Sequence, residues 1–325
     1  MGYLLDVALS RQWVSDRWLV GVKDYDPQTG KKFPPGLYTH AIRQGREQAE
    51  GEFDVSMTPT EPSDGEVDGE GYESIDLTSW SGASEYLINL KLKPLLTFGR
   101  IDIYDGNTKI NTIDRDAVLI QAPKFSQIQL DMASLSTPTP RRITFNELFA
   151  LNLAYGPGAL RAFYTAGYPE VALGTATARK DANRVTGTGF RTGKKVAVGD
   201  FVGFEDAEAF SVTKILSDTE LEIDGAWTSN FTAQPLIGVR VPSVLLEYTG
   251  LLAARSVLIV AGDLVIGAGI SSMSRSEDGH SQSIQTTASP ENNAYSARIR
   301  LMDAQLESLY KRAMRDYRPQ EMIFL

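Results

Sequence analysis

Between residues 171 and 238 there are eight glycines, and five of them, Gly187, Gly189, Gly193, Gly199 and Gly203, fall within 17 residues. No helix holds at that spacing, since each interior glycine costs about 1 kcal/mol relative to alanine. The runs between the glycines are short and β-branched. They predict strands at residues 184–186, 201–204, 211–215 and 220–223, with turns at 187–189, 198–200 and 217–219. Residues 173–238 are therefore expected to form a small all-β barrel or sandwich of five or six short strands. An insertion at a loop tip is the economical way to carry it, because surface loops accept extra chain cheaply.

The remainder mixes helices and strands. Pro34 and Pro35 suit a helix start, and Leu37, Ile42 and Ala49 give the following stretch an apolar side, interrupted by Gly45. FDVSM then reads as a short strand. TPTEPSDGEVDGEGYESIDL is rich in Pro, Gly, Asp and Glu and reads as an exposed loop with no core of its own. From Glu85 to Asp114 apolar and polar residues alternate, with Asp105-Gly106-Asn107 as a hairpin turn. Residues 117–120, 128–130 and 161–168 read as further strands. The last of these, RAFYTAGYP, is an alternating strand broken by glycine and proline. Beyond Pro242, SVLLEYTGLLAARSVLIVAG is apolar nearly all round and reads as a buried helix. GISSMSRSEDGHSQSIQTT reads as a polar hairpin. A final helix, residues 291–317, carries Tyr295, Ile299, Met302, Leu306, Leu309 and Ala313 at steps of four and three.

Charge is unevenly spread. Of the 41 acidic side chains, 12 lie between Glu47 and Asn89, where there is no Lys or Arg; the other 29 face 32 basic residues elsewhere. The segment reads either as a solvated loop or as a face that repels nucleic acid. The chain has no cysteine, which excludes disulfides and thiol chemistry. MGYLLDVALSRQW lacks the basic and apolar regions of a signal peptide. The most membrane-like stretch, residues 251–270, contains Arg255 and Asp263, so a core helix is expected there.

Chemistry-bearing patterns are sparse. His40 and His280 have no local triad partners, and phosphate-loop, dinucleotide and zinc-protease motifs are missing. Asp64-Gly65-Glu66-Val67-Asp68-Gly69 begins like a calcium loop. It fails at Glu66 and at Ile75, where a bidentate glutamate belongs. Gly187-Thr188-Gly189 with Arg191, Lys194 and Lys195 reads as a phosphate cradle or, more simply, a basic hairpin. No catalytic residue, cofactor site or metal site is expected, and the chain is read as a non-enzyme. Two features point to assembly. The apolar tail Met322–Leu325 needs a dock on its own core or on a partner. The polar hairpin at 269–287 is marginal alone and needs a neighbour.

Taken in order, these segments resemble the head–tail connector (adaptor) proteins of tailed bacteriophages. The matching stretches are Ala41-Ile42 to Ala49-Glu50, Tyr164-Thr165-Ala166-Gly167-Tyr168, the helix from Val241-Pro242 through Leu252-Ala253-Ala254, and the Ser-x-Ser-x-Asp-Gly-x-x-Gln-Ser-like hairpin. The likeness covers about two thirds of the chain. The acidic loop and the β insert depart from it. The resemblance implies an α+β fold: a helical connector body with short antiparallel β segments and a polar hairpin, plus the inserted β domain. The body would comprise residues 1–172 and 239–325, with 173–238 inserted.

It further implies a virion structural protein of the neck, made in the host cytoplasm. The chain would form a homo-oligomeric ring of twelve copies that joins portal to tail or to a second neck protein. DNA would pass through without sequence-specific binding, and no membrane is involved. Met322, Ile323, Phe324 and Leu325, with Tyr317, would dock on the portal or a neighbouring subunit. Ser274, Ser276, Asp278, Gly279 and Gln282 would pair between copies. The competing readings are another virion part (baseplate, tail or capsid decoration) and a glycan-binding module with Trp227 and Phe231 as stacking residues.

Overall fold

The computed structural model describes residues 3–22, 32–75, 86–106, 108–130, 160–193, 195–205, 207–266, 272–277, 280–285 and 295–317. Three helices come first, α1 (Leu4–Ala8), α2 (Arg11–Trp18) and α3 (Pro35–Phe53). Eight strands follow: β1 (Gly65–Val67), β2 (Glu70–Ile75), β3 (Tyr86–Asn89), β4 (Leu95–Asp105), β5 (Thr108–Asp114), β6 (Val118–Ala122), β7 (Gln127–Leu130) and β8 (Leu160–Ala166). Then come β9 (Glu170–Ala178), β10 (Arg184–Thr186), β11 (Phe201–Phe204), β12 (Ala209–Ile215), β13 (Glu220–Ile223) and β14 (Phe231–Val239). The chain continues with α4 (Ser243–Ile266), β15 (Ser272–Glu277), β16 (His280–Gln285) and α5 (Ser296–Tyr317).

The expected helical body is overturned. Among the described residues sixteen strands stand beside five α-helices, and the strands build four sheets, one of them a closed barrel. The error has a local cause. The acidic stretch read as a loop carries β1 and β2, and β2 hydrogen-bonds to β8 through Glu73↔Ala162 and Ile75↔Leu160. Composition argued for solvent, yet Ile75 and Glu73 are both buried. FDVSM contributes only a single bridge, Val55 with Lys93.

The chain divides into two compact units, residues 1–51 with 170–316 and residues 52–169 with 317–325. In the second unit a five-stranded sheet, β1-β2-β8-β4-β5, and a three-stranded sheet, β3-β7-β6, share one core. Strand β8 lies in the middle of the larger sheet. Its alternate residues Leu160, Ala162, Tyr164 and Ala166 enter that core, alongside Ile101 and Ile103 of β4. RAFYTAGYP is thus a central strand, which accounts for its dense apolar alternation.

In the first unit the barrel runs β10-β13-β12-β11-β14-β9 and closes where β9 pairs with β10. Its interior is aromatic. Phe204 stacks on Phe231 at 4.3 Å, and Trp227 meets Phe204 and Phe210 edge-on at 5.0 and 4.9 Å. Helix α4 is apolar all round because it is a core helix, with Leu245, Ala253, Ala254, Val257 and Leu258 fully enclosed. Arg255 in its middle pairs with Asp303 of α5 at 2.6 Å. The interruption expected at Gly45 is instead a point of close approach within an unbroken α3. A side chain there would meet the Thr249 carbonyl oxygen at 2.9 Å and the Ala253 nitrogen at 3.2 Å. Helix α5 buries Ile299, Met302, Leu306 and Ala313, as their spacing predicts.

Candidate functional site

Sheet β15–β16 is the element least accounted for by its own chain. Its six residue pairs run from Ser272↔Gln285 to Glu277↔His280. Among the described residues neither strand pairs with any other. Two residues separate Glu277 from His280, and a two-residue turn closes on a hydrogen-bonded pair. Bonded and non-bonded pairs then alternate along the ladder. Glu277↔His280, Arg275↔Gln282 and Met273↔Ile284 are accordingly the bonded pairs. The backbone groups of Ser272, Ser274 and Ser276 point to one outer edge, and those of Ser281, Ser283 and Gln285 to the other. Each edge offers a row of donors and acceptors that another strand can take up.

The residues singled out from sequence divide as follows. Ser274, Ser276 and Gln282 lie on this two-stranded sheet, the two serines at an outer edge and Gln282 at a bonded pair. Asp278 and Gly279 lie outside the described residues, as do Met322, Ile323, Phe324 and Leu325. Tyr317 ends α5 and is 2% exposed. Its hydroxyl is 3.1 Å from that of Tyr168, and its ring lies 6.4 Å from Phe53 and 5.4 Å from the Lys124 ammonium. Tyr317 therefore packs within its own chain. Trp227 and Phe231, the stacking pair of the glycan reading, are 0% and 9% exposed and fill the barrel, so they offer no platform to a sugar.

The loop that could have cradled a phosphate is occupied by the protein itself. The Asp218 carboxylate accepts the Arg191 and Thr192 N–H groups at 2.9 and 2.8 Å. The Thr192 backbone and hydroxyl, followed by the Arg191 N–H, hold this carboxyl below its ordinary range. Arg191 in turn donates to the carbonyls of Ile215 and Leu216 at 2.8 and 3.1 Å. Among the described residues no three His, Asp or Glu side chains are placed to hold a metal ion.

Sequence reasoning missed the polar centre built on the YTAGY corner. Tyr164 donates its hydroxyl to Glu73 at 2.5 Å and accepts the Leu92 N–H at 3.1 Å. Glu73 also accepts the Lys91 N–H at 2.9 Å. Burial pushes the Glu73 carboxyl above its ordinary range, against the pull of the Tyr164 and Lys91 hydrogen bonds. Burial, then the Glu73 charge, raises the Tyr164 hydroxyl. Asp64 nearby is held low, chiefly by its 2.5 Å bond to the Lys91 ammonium. Gly167 turns the chain at φ +128°, with the Thr58 carbonyl oxygen where a Cβ would stand. Ala166 and Thr60 exchange backbone hydrogen bonds at 2.8 and 2.9 Å. The motif is a clasp that ties β8 to the loop before β4 and to residues 58–60. No sequence pattern signalled Glu73, because it sat among acids read as solvated.

The motif residues that carried the resemblance are thus scaffold. Ala41, Ile42 and Ala49 are buried on α3, Ala253 and Ala254 on α4, and Tyr164 and Ala166 on β8. They shape the body. Compared with known proteins, the sequence matches no protein-family model and no curated protein.

Proposed function

We propose that the chain is a structural protein of a tailed-phage virion that assembles as a ring in the neck, between portal and tail. The observation that carries this reading is the β15–β16 sheet. It is a polar two-stranded sheet with both edges unpaired among the described residues, set between helices α4 and α5. Two-stranded sheets are marginal alone. A neighbouring copy that adds a strand at one edge and receives one at the other gives a head-to-tail interface, which closes into a ring when the rotation between copies closes. The order of the buried motif residues along the chain supports the same reading. In this arrangement the apolar residues Met322–Leu325 dock on the portal or on a neighbouring subunit.

The test is the mass and shape of the purified protein, alone and mixed with its cognate portal, by light scattering and negative-stain microscopy. A closed ring, free or formed on the portal, is the expected result. A monomer that ignores the portal overturns the proposal.

A further inference from the structure

A cavity of about 420 Å³ lies between α2 and the wall of the barrel. Its apolar side is formed by Phe210, which is half-buried, and by Trp13 and Phe201, which are 6% and 1% exposed. Planar polar groups stand around it. Gln12 donates to Asp16 at 2.7 Å, and Arg17 donates to Asp224 at 3.1 Å while lying 5.7 Å over the Trp13 ring. Arg17 and Asp224 keep 39% and 30% of their side-chain surface in solvent, so both remain open to further bonds. Trp13 is 6% exposed, and its indole N–H has no hydrogen-bond partner among the described residues. Buried indole N–H groups ordinarily find an acceptor, so this one marks a missing partner.

The chemistry narrows the ligand. Two carboxylates, Asp16 and Asp224, oppose a phosphate. Arg17, paired with Asp224, opposes a simple cation. A wholly apolar ligand would take the water from the Gln12–Asp16 and Arg17–Asp224 pairs and give them no further bonds in return. A neutral molecule with one apolar face and many hydroxyls suits all of them, because hydroxyls both donate and accept. The volume falls in the range of small-molecule sites. We propose that this cavity is a saccharide-binding site, taking one or two sugar units with their C–H face on Phe210 and their hydroxyls on Gln12, Asp16, Arg17 and Asp224. The site is independent of ring formation and does not use Trp227 or Phe231.

The experiment is ligand-observed saturation-transfer NMR on the full chain. The probes are glucose, galactose, mannose, N-acetylglucosamine, cellobiose, maltose, lactose and chitobiose, each at about 10 mM, a concentration suited to millimolar affinities. At least one probe is expected to bind. Asp16→Ala and Arg17→Ala, both at exposed positions, should each weaken it about tenfold. Arg184→Ala, which removes the Arg184–Glu220 pair elsewhere on the barrel, should leave binding unchanged. Circular dichroism of each variant establishes that the fold is kept. Failure of every probe to bind overturns the proposal, and so does binding that Asp16→Ala and Arg17→Ala both leave intact.

Discussion

Glu73 and Tyr164 set the behaviour of the second unit at the scale of single residues. A carboxyl that holds its proton more tightly when folded stabilises the fold at low pH and loses that contribution as pH rises through its folded pKa. The Glu73 carboxyl is raised from an ordinary 4.5 by burial, so stability should fall as pH climbs above that value. Asp64 is shifted downward and acts on the acid side, in a separate window. Glu73→Gln should therefore flatten the slope above pH 4.5 in urea melts taken across a pH series, while leaving the acid limb in place. An unchanged slope would show that Glu73 titrates as if exposed. Gly167→Ala forces a side chain onto a positive-φ position facing the Thr58 carbonyl, and should cost more than about 1 kcal/mol in thermal unfolding. A neutral result would mean that the corner relaxes freely.

Elements were legible where a backbone rule acts alone, and illegible where a partner decides. Strands β10, β11 and β13 fall where glycine spacing and β-branched runs put them. The apolar spacing of α5 matches its buried residues. Strands β9 and β14 escaped notice, although they are the longest in the barrel: Gly174 interrupts one and Pro235 the other, and pairing with each other and with β10 and β11 holds them. The helical-body expectation failed for a related reason. Helices announce themselves by local periodicity, whereas β1 and β2 exist because β8 pairs with β2. The candidate site was half legible: the polar hairpin was visible in its serines and glutamines, but its unpaired edges only in the topology. Those edges make a prediction. Proline at Ser274 or Ser283 removes an outward N–H while sparing the bonded pairs of the hairpin. Each change should leave the monomer folded by circular dichroism and reduce ring formation by light scattering, and the double variant should abolish it. Rings that form normally with both prolines would exclude edge pairing as the contact between copies.

For the molecule as a whole, the acidic segment gains a different meaning once its partners are known. Glu47, Glu50, Asp54, Asp64 and Glu70 pair with Arg43, Arg46, Lys93, Lys91 and Arg100. Glu73 is buried, and exposed acid remains at Glu66 and Asp68 on the β1–β2 hairpin. Charge that looked like one unpaired face is largely paired with bases, most of it still at the surface, where Glu47, Asp54 and Glu70 keep 63%, 71% and 53% of their side-chain area exposed. If the proposed ring lines a DNA passage, the protein should still not retain duplex DNA, given a formal net charge of −9. Gel-shift assays at low salt should show no retardation, and Glu66→Lys with Asp68→Lys should introduce salt-sensitive binding if that hairpin faces the passage. Retention of DNA by the unaltered protein would contradict a simple conduit. The barrel adds a consequence for descent. Its first and last strands are bonded partners through Glu170↔Val239, so the chain leaves the barrel beside the point where it entered. Removing residues 170–239 leaves a gap of one strand spacing, about 5 Å, which one or two residues span. The barrel is nonetheless no free-standing cassette, because α2 packs on it through Trp13–Phe201 and Arg17–Asp224, and relatives that lack the barrel should lack or reshape residues 1–18 as well.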